Sequence, residues 1–367
     1  GSRTVRVGGG ATWGDVDRET QAFGLAAPGG VVSTTGVAGL TLGGGLGWLR
    51  RKHGLSCDNL RAADVVTADG ELVRASEEQN PDLFWGLRGG GGNFGVVTSF
   101  EFELHEVGPE VMMAAVMYPQ DEAEELFRSW RSFMAEAPEE ISSQAILWNV
   151  PDAEAFPEEA RGRPVCVLAA LHSGDAEEGE RLLRPLRELS DPVLDMSGGM
   201  PFTAAQSSLD PFYPKGDLRY YWKSTRLDRL DDEVIDAVAA RGRERPSPRS
   251  HLILWHQGGA MSRVGPSETA FGDRGAPYTL TLDSTWADPA RDRENVEWTR
   301  EVWDDMQRFS DRGLYLNFPG MGEEGEELVR SAYGDTYGRL AEVKARWDPN
   351  NLFRMNQNIR PETETAG

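Results

Sequence analysis

The 367-residue sequence contains little cysteine, little lysine and no long run of apolar residues. Its two cysteines, Cys57 and Cys166, are too few for a disulfide framework or a zinc site, and both are interpreted as small buried hydrophobic residues. No apolar segment approaches the length of a membrane-spanning helix, and no metal site is predicted. A net charge of −22 and only four lysines argue against nucleic acid or an anionic membrane as partner.

The length of the chain allows two domains and a sizeable core. The acidic, lysine-poor composition suits a halophilic protein, whose carboxylates keep its surface hydrated, and it equally suits drift in a GC-rich genome. No signal peptide opens the sequence, so a cytoplasmic location is expected unless an export signal precedes Gly1. Residues 1–10 have the character of a strand, as though the sequence begins inside a domain.

Glycine is abundant in one segment, residues 28–47, where it occupies eight of twenty positions and no side chain is charged. Glycine loses more backbone freedom on folding than any other residue. This run therefore indicates that the backbone comes unusually close to a ligand or to another segment of the chain. One interpretation is a groove whose backbone amides hold the diphosphate of a cofactor without any lysine. The other is a set of tight turns in a closely packed β structure.

Local signals predict several elements. Thr12 is a suitable cap for a helix that begins at Trp13, and Asn80 for one that begins at Pro81. The Asp-Gly dipeptide at 69–70 predicts a two-residue hairpin between two strands. Further along the chain, alternating strands are separated by amphipathic helices, which indicates an antiparallel sheet with helices on one face.

Familiar catalytic motifs are missing from the sequence. It contains no phosphate-binding GxxxxGK[ST] loop, no HExxH and no GxSxG. A GxGxxG pattern is present at residues 90–95, but it follows a predicted helix and opens a strand. A nicotinamide dinucleotide fingerprint has the opposite order, strand before helix, so that interpretation is rejected.

An ordered series of motifs resembles the berberine-bridge-enzyme-like FAD-linked oxidases, which are flavoproteins of the vanillyl-alcohol-oxidase type. The resemblance is carried by segments 8–30, 36–60, 80–104, 315–320 and 347–361, and it extends over essentially the whole chain. It implies an α+β fold, in which a PCMH-type FAD-binding domain is joined to a substrate domain with an antiparallel sheet backed by helices. The expected limits are 1–108 for the FAD-binding domain, 109–312 for the substrate domain and 313–367 for a C-terminal segment that returns to the FAD.

The resemblance also implies which residues contact FAD. The flavin ring and diphosphate are expected near the glycine-rich segment, the adenine end near residues 95–97, and two asparagines are expected to return from the C-terminal region. The predicted cofactor residues are Gly29, Gly30, Thr34, Thr35, Gly36, Gly39, Gly44, Gly45, Asn59, Gly95, Val97, Asn317 and Asn356.

The sequence departs from the family pattern in its covalent flavin attachment. Family members begin with a subdomain whose Arg-x-Gly-Gly-His loop supplies a histidine bonded to the flavin, and no Gly-Gly-His is present here. The resemblance therefore implies a chain that lacks the first FAD subdomain and binds FAD weakly and without a covalent bond. A second family link uses a cysteine at the position of Val32, so that link is not expected either.

The catalytic base also differs from the family pattern. Several family members use a tyrosine as the catalytic base, and this chain has Phe318 at that position. Other members use a glutamate as the base, and the corresponding position here is Thr279. Our first candidate is His256, because the ordinary pKa of histidine suits proton transfer at neutral pH. Tyr315 and Tyr278 are further candidates. Each of the three has a structural alternative, as a hydrogen-bonded strand residue or a core aromatic.

The function expected from the resemblance is hydride transfer from a C–H or C–OH group of a small organic substrate to flavin N5. A sugar, an alcohol or a secondary metabolite is the expected substrate, and oxygen is the expected electron acceptor. Two alternatives stay open. One is a dehydrogenase that uses another acceptor, and the other is a ligand-binding protein that keeps the flavin fold without catalysis.

Overall fold

The structure is a computed structural model that describes residues 2–272, 274–310, 313–318 and 325–362. The predicted C-terminal segment 313–367 extends into residues outside these ranges. The strands, numbered in chain order, are β1 (Thr4–Gly8), β2 (Leu25–Ala26), β3 (Leu60–Val66), β4 (Leu72–Ser76), β5 (Val96–Glu103), β6 (His105–Glu106), β7 (Glu110–Pro119), β8 (Ile141–Asn149), β9 (Pro164–His172), β10 (Leu194–Asp195), β11 (Gly198–Pro201), β12 (Arg219–Leu227), β13 (His251–His256) and β14 (Tyr278–Trp286).

Helices occupy both the N-terminal and C-terminal parts of the described chain as well as the region between the strands. They are α1 (Trp13–Gln21), α2 (Val37–Leu42), α3 (Arg50–His53), α4 (Pro81–Leu87), α5 (Ala123–Glu136), α6 (Ala176–Arg187), α7 (Phe202–Ser207), α8 (Asp232–Arg243), α9 (Ala260–Arg263), α10 (Asp292–Met306), α11 (Glu326–Tyr333) and α12 (Tyr337–Trp347). Among these residues no helix is both long enough and apolar enough to cross a membrane.

The local predictions for the N-terminal part are largely confirmed. Thr12 caps α1 through a capping box with Asp15, and β3 pairs antiparallel with β4 across the 69–70 turn, where Gly70 has a φ of +80°. Helix α4 begins at Pro81 as predicted, but the side chain of Asn80 does not cap it. The Asn80 amide donates instead to the carbonyl of Arg74, at 2.7 Å.

The first sheet has the described strand order β1-β5-β3-β4, with every pair antiparallel. Its core includes Trp13 from α1, Phe84 from α4 and Phe100 from β5. Leu340 and Val343 of α12 are buried in the same cluster, so a C-terminal helix packs onto the N-terminal sheet. This packing brings the two ends of the described chain together.

A buried ion pair fixes the C-terminal helix to a glycine-rich turn. The ammonium group of Lys344 donates to the carboxylate of Asp348 at 2.6 Å and to the carbonyl oxygens of Asn93 and Phe353 at 2.8 Å each. Both charged side chains are completely buried. A buried pair is tolerated when further hydrogen bonds satisfy it, as the two carbonyls do here. One of the chain's four lysines therefore positions the 90–95 turn.

The second sheet is antiparallel, with helices on one face, as the sequence predicts. Its described strand order is β10-β7-β9-β8-β13-β14-β12, and β11 also pairs with β7. Helices α5, α6, α8 and α10 cover one face and bury Trp130, Leu183, Val238 and Val302 against it. The other face looks toward the glycine-rich segment. The two sheets lie on either side of residue 108, while the exact domain limits stay predictions.

Candidate active site

A cavity of about 1340 Å³ lies between the glycine-rich segment and the uncovered face of the second sheet. Its wall is built from residues that are far apart in the sequence, including Gly39, Gly92, Asp283 and Asn356. The volume is sufficient for a large cofactor together with part of a substrate, since pockets for drug-sized ligands measure roughly 300–1,000 Å³. It is the natural candidate for a site that holds a flavin beside its substrate.

Eight of the thirteen predicted cofactor residues line this cavity. They come from the glycine-rich segment, from the beginning of β5 and from the C-terminal region, which only the tertiary structure brings together. The eight are Gly30, Thr34, Thr35, Gly39, Gly95, Val97, Asn317 and Asn356. Their assignment to FAD contact stays a prediction, but their position in one wall agrees with it.

The other predicted cofactor residues have contacts inside the protein instead. A Cβ on Gly29 would come within 2.7 Å of the Trp13 ring, and one on Gly45 within 2.2 Å of the Ser56 hydroxyl. Neither glycine lines the cavity, nor do Gly36, Gly44 and Asn59. The glycine-rich segment therefore serves both purposes that the sequence left open, because some glycines face the cavity and others allow two chains to pack closely.

Asn59 holds a local turn. Its amide nitrogen donates to the carbonyls of His53 and Leu55, both at 2.8 Å. Its amide oxygen lies 2.5 Å from Nε2 of His105, whose ring stacks on His53 with a centroid distance of 3.9 Å. All of its polar atoms thus have protein partners, which argues against direct contact with FAD.

The glycine-lined wall fits a cofactor diphosphate. Gly39 lies on the cavity, and a Cβ built there would meet no atom within 4 Å, so the missing side chain leaves open space. The hydroxyl-bearing Thr34 and Thr35 lie beside it. Lys215 is the one lysine or arginine among the described lining residues, and it is exposed. An anionic group on this wall would be held by backbone amides and hydroxyls, the arrangement expected where basic side chains are scarce.

The opposite wall carries a row of polar and aromatic side chains across three strands. Asp283 on β14 pairs in register with Trp222 on β12 and with His251 on β13, and all three line the cavity. Tyr213 lies over the row, with its ring centroid 5.6 Å from Trp222 and 6.0 Å from His251. We call the four residues Tyr213, Trp222, His251 and Asp283 the Asp283 box.

The carboxyl group of Asp283 is the titratable group best suited to proton transfer in the cavity. Burial raises its pKa from 3.8 to about 7, against the opposing effect of hydrogen bonds from the hydroxyls of Thr281 and Tyr213. The pKa of Tyr213 is raised far above its usual value by burial and by the neighbouring carboxylate, so its phenol stays protonated. A carboxyl group with a pKa near neutrality is well matched to general acid–base work.

Three buried polar atoms of the box have no hydrogen-bond partner within the part of the chain that the structure describes. They are Oδ1 of Asp283, Nδ1 of His251 and Nε1 of Trp222. An unsatisfied buried polar group costs about 1–3 kcal/mol, and on a cavity wall a bound ligand can supply the missing partner. The box is therefore a polar cluster in a wall that also contains Gln144, aliphatic Ile146 and Ile253, and aromatic Trp148 and Trp255.

His256 and Tyr278 lie on the other side of the second sheet. The ring of His256 packs edge-on against Trp130 and Tyr278, at centroid distances of 6.3 and 5.4 Å, within the layer of helices. Burial lowers the pKa of His256 to about 3, with smaller effects from Arg51 and Arg50. Neither ring lines the cavity. This geometry does not support the proton-transfer role that we expected for them, because the sheet separates both from any ligand.

Tyr315 lies beneath the glycine-rich segment rather than on the cavity wall. Its hydroxyl oxygen accepts hydrogen bonds from the amides of Gly45 and Leu46, at 3.0 and 3.2 Å, and from the side chain of Asn317 at 2.7 Å. Burial raises its pKa to about 12 despite these donors. The geometry favours a positioning role for Tyr315 at the 44–46 turn, and its catalytic role stays a prediction.

Of the two positions that depart from the family pattern, one lies on the cavity wall and the other does not. Phe318 lines the cavity and packs edge-on against Trp222, with ring centroids 5.5 Å apart. Thr279 does not line the cavity, and its hydroxyl accepts a hydrogen bond from Gln257 at 3.0 Å. Sequence reasoning missed Asp283, although a signal was present: it is the one acidic residue in the strand YTLTLDSTW, four positions and hence two same-face steps after Thr279.

Known protein families match the segments that form this site, in which a glycine-lined cradle faces an antiparallel sheet. The family described as FAD binding domain matches residues 1–76. The family described as "Berberine and berberine like" matches residues 314–360. Both matches fall on the segments that form the cradle wall and its C-terminal part.

Similar proteins extend the match over the whole chain. An FAD-linked oxidoreductase of Dictyostelium discoideum is 30% identical over 98% of this chain and 76% of that protein. The (R)-6-hydroxynicotine oxidase of Paenarthrobacter nicotinovorans is 32% identical over 99% of this chain and 78% of its own length. The crystal structure of 6-hydroxy-D-nicotine oxidase from Arthrobacter nicotinovorans covers 98% of this chain and 79% of its own, at 28% identity and a TM-score of 0.83.

The chain belongs to the berberine-bridge-enzyme-like FAD-linked oxidoreductases. It is an oxidoreductase of α+β fold whose cofactor is FAD, as the sequence predicts. The fold alone is further supported by BBE-like 1 of Physcomitrella patens, with a TM-score of 0.85 at 23% identity over 99% of this chain and 78% of that one.

Proposed function

We propose that the protein oxidises a small organic substrate that lies between FAD and the Asp283 box, with Asp283 as the proton acceptor. FAD, when bound, supplies the two-electron acceptor for the hydride that leaves the substrate carbon. The chain's own residues bind and orient the substrate and take up the proton. The observation that carries the proposal is the buried carboxyl group of Asp283, which has a pKa of about 7 and lies opposite the glycine-lined wall.

Each part of the box supports a distinct task in this reaction. The rings of Trp222 and Tyr213, which are nearly perpendicular to each other, provide an apolar corner for a ring or chain of the substrate. His251 is neutral, because burial and the nearby Arg245 lower its pKa to about 3. It therefore serves as a hydrogen-bonding and orienting group. Asp283 is left as the group within the box that exchanges a proton near neutral pH.

The test compares two buried aspartates whose pKa values are both raised to about 7 by burial. Asp17 is also buried, with its pKa raised to about 7, but it lies on α1 away from the cavity. We expect Asp283→Asn to lower the rate of flavin reduction by about 10²–10⁴-fold, and Asp17→Asn to leave it within about twofold. Anaerobic loss of flavin colour after mixing FAD-supplemented protein with 6-hydroxynicotine, glucose or xylobiose gives this rate.

The result that overturns the proposal is a normal rate of flavin reduction in the Asp283→Asn variant with any substrate that the unmodified protein oxidises. Oxygen is the proposed electron acceptor, and measuring hydrogen peroxide in air checks it. Rapid turnover with an artificial acceptor, combined with little peroxide in air, would instead identify a dehydrogenase. That outcome leaves the role of Asp283 intact.

A further inference from the structure

The Asp283 box holds a buried acidic group that has no basic partner among the residues that the structure describes. Asp283 is 4% exposed, and the groups that act on its carboxyl are the hydroxyls of Thr281 and Tyr213. His251 is neutral, as shown above, and Lys215 is exposed on the loop that follows Tyr213. Buried carboxylates are usually paired with a cation, because removing an isolated charge from water is costly. In the described part of the cavity the protein does not provide that cation.

Aromatic rings surround this carboxyl group on several sides. Trp222 and His251 flank Asp283 along the row, and Tyr213 lies over it. The Trp148 ring extends the row beyond His251, with centroids 4.9 Å apart. Rings of tryptophan and tyrosine attract a cation placed over their faces, most strongly where water is excluded. A carboxylate among aromatic rings is thus a recognition site for an organic cation.

We infer that the substrate is an organic amine that enters the box as its ammonium ion, with the charged nitrogen beside Asp283 and its hydrocarbon part against Trp222 and Tyr213. The inference rests on the proposed function and names the substrate class of the same site. A neutral polyol would leave the negative charge of the ionised Asp283 carboxylate without a counter-charge, whereas an ammonium ion neutralises it. The net charge of −22 would also draw a cation toward the protein at low ionic strength.

The chemistry balances with FAD as the oxidant. The ammonium N–H bond breaks and its proton goes to the carboxylate of Asp283, which frees the lone pair of the nitrogen. The C–H bond on the adjacent carbon then breaks, and its hydrogen leaves with both electrons to FAD. The amine loses two electrons and becomes an iminium ion, while FAD gains them. One proton remains on Asp283 and is released to solvent later.

Calorimetric titration of the FAD-supplemented protein under nitrogen tests the inference without requiring turnover. The probes are N,N-dimethylbenzylamine, a cation at neutral pH, benzyl alcohol as its uncharged counterpart, and xylobiose as a sugar. At about pH 8, where Asp283 is ionised, we expect the amine to bind at least about tenfold more tightly than benzyl alcohol. Lowering the pH to about 6 should weaken amine binding, because Asp283 becomes protonated, and should leave benzyl alcohol unchanged.

Variants identify the group responsible. Asp283→Asn should remove the preference for the amine, and Asp17→Asn should preserve it. If Asp283→Asn fails to fold, Trp222→Leu gives a second measurement, in which the ratio of amine to alcohol affinity falls although the carboxylate is intact. Equal affinity for the two aromatic probes, or tighter binding of xylobiose than of the amine, would overturn the inference. Neither result depends on flavin reduction, so the proposed function stands or falls separately.

Discussion

Arg274 forms a two-pronged ion pair with Asp58 in the interior, with its two terminal nitrogens 2.6 and 2.8 Å from the two carboxylate oxygens. The side chains are 1% and 9% exposed. Asp58 belongs to the short 3₁₀ turn after the glycine-rich segment, and Arg274 precedes β14, the strand of Asp283. The guanidinium also donates to the hydroxyl of Thr269 at 2.8 Å. This pair connects the cradle for the cofactor to the sheet that carries the box.

Replacing Asp58 by Asn should lower the free energy of unfolding by about 3–5 kcal/mol, because the Arg274 charge would stay buried without its partner. The matched control is Glu297→Gln, which breaks the exposed pair of Glu297 with Arg293 on α10. That change should cost at most about 0.5 kcal/mol. Urea unfolding of both variants measures the difference, and a loss below about 1 kcal/mol for Asp58→Asn would contradict the role given to the pair.

A side chain at Gly39 should block the cofactor. Gly39→Val projects into the open space of the cavity without a clash inside the protein, whereas Gly36→Val also meets no neighbouring atom but lies off the cavity. We expect the first variant to bind FAD at least about tenfold more weakly and the second to bind it normally. Titration of FAD followed by its fluorescence gives both affinities. Equal binding by the two variants would remove Gly39 from the cofactor wall.

Stability should respond to pH through Asp17. Burial raises its pKa from 3.8 to about 7, so the folded state holds this proton more tightly than the unfolded state. Its contribution to stability is fully present below about pH 4 and is lost as the pH rises through about 7. Asp17→Asn should therefore gain stability relative to the unmodified protein across this range, by up to roughly 4 kcal/mol above pH 7.

Asp15 on the same helix provides the control for this pH effect. Hydrogen bonds from Thr12 lower its pKa, so its contribution is present above about pH 4 and is lost in more acidic solution. Asp15→Asn should consequently destabilise the protein at neutral pH, the opposite sign from Asp17→Asn. Urea unfolding at about pH 5 and pH 8 separates the two variants. A pH-independent difference between Asp17→Asn and the unmodified protein would show that Asp17 is not buried as a neutral acid.

Tyr315→Phe distinguishes a positioning residue from a catalytic one. Removing the hydroxyl leaves the buried amides of Gly45 and Leu46 without their acceptor, at a cost of about 1–3 kcal/mol each. We expect lower stability and weaker FAD binding, with flavin reduction slowed less than about tenfold once FAD is bound. A loss of about 10²–10⁴-fold in that rate at unchanged stability would restore Tyr315 as the proton acceptor. Tyr278→Phe, behind the sheet, should leave the rate unchanged.

Local sequence signals predicted the elements that depend on neighbouring residues. The Thr12 cap, the hairpin at 69–70 and the helix from Pro81 each follow from the chemistry of a few consecutive positions. Asn80 is the exception, since a carbonyl supplied by Arg74 competes for its side chain. Local signals did not show which strand side chains face the cavity. His256, which the sequence suggested, and Asp283, which it did not, both lie in strands, and the neighbouring residues do not indicate which face of the sheet the helices cover.

The sequence by itself determined the family, the FAD cofactor and the use of glycine where the backbone must come close to a ligand or to another segment of the chain. The family and the cofactor follow from the resemblance of an ordered series of motifs to known flavoproteins, and the need for glycine follows from the composition of residues 28–47. Only the tertiary structure decided which glycines face the cavity and which pack against Trp13 or Ser56. It also decided that Asp283 shares a row with Trp222 and His251. The reason is that side chains alternate between the two faces of a strand, so their meaning depends on partners that are remote in the sequence.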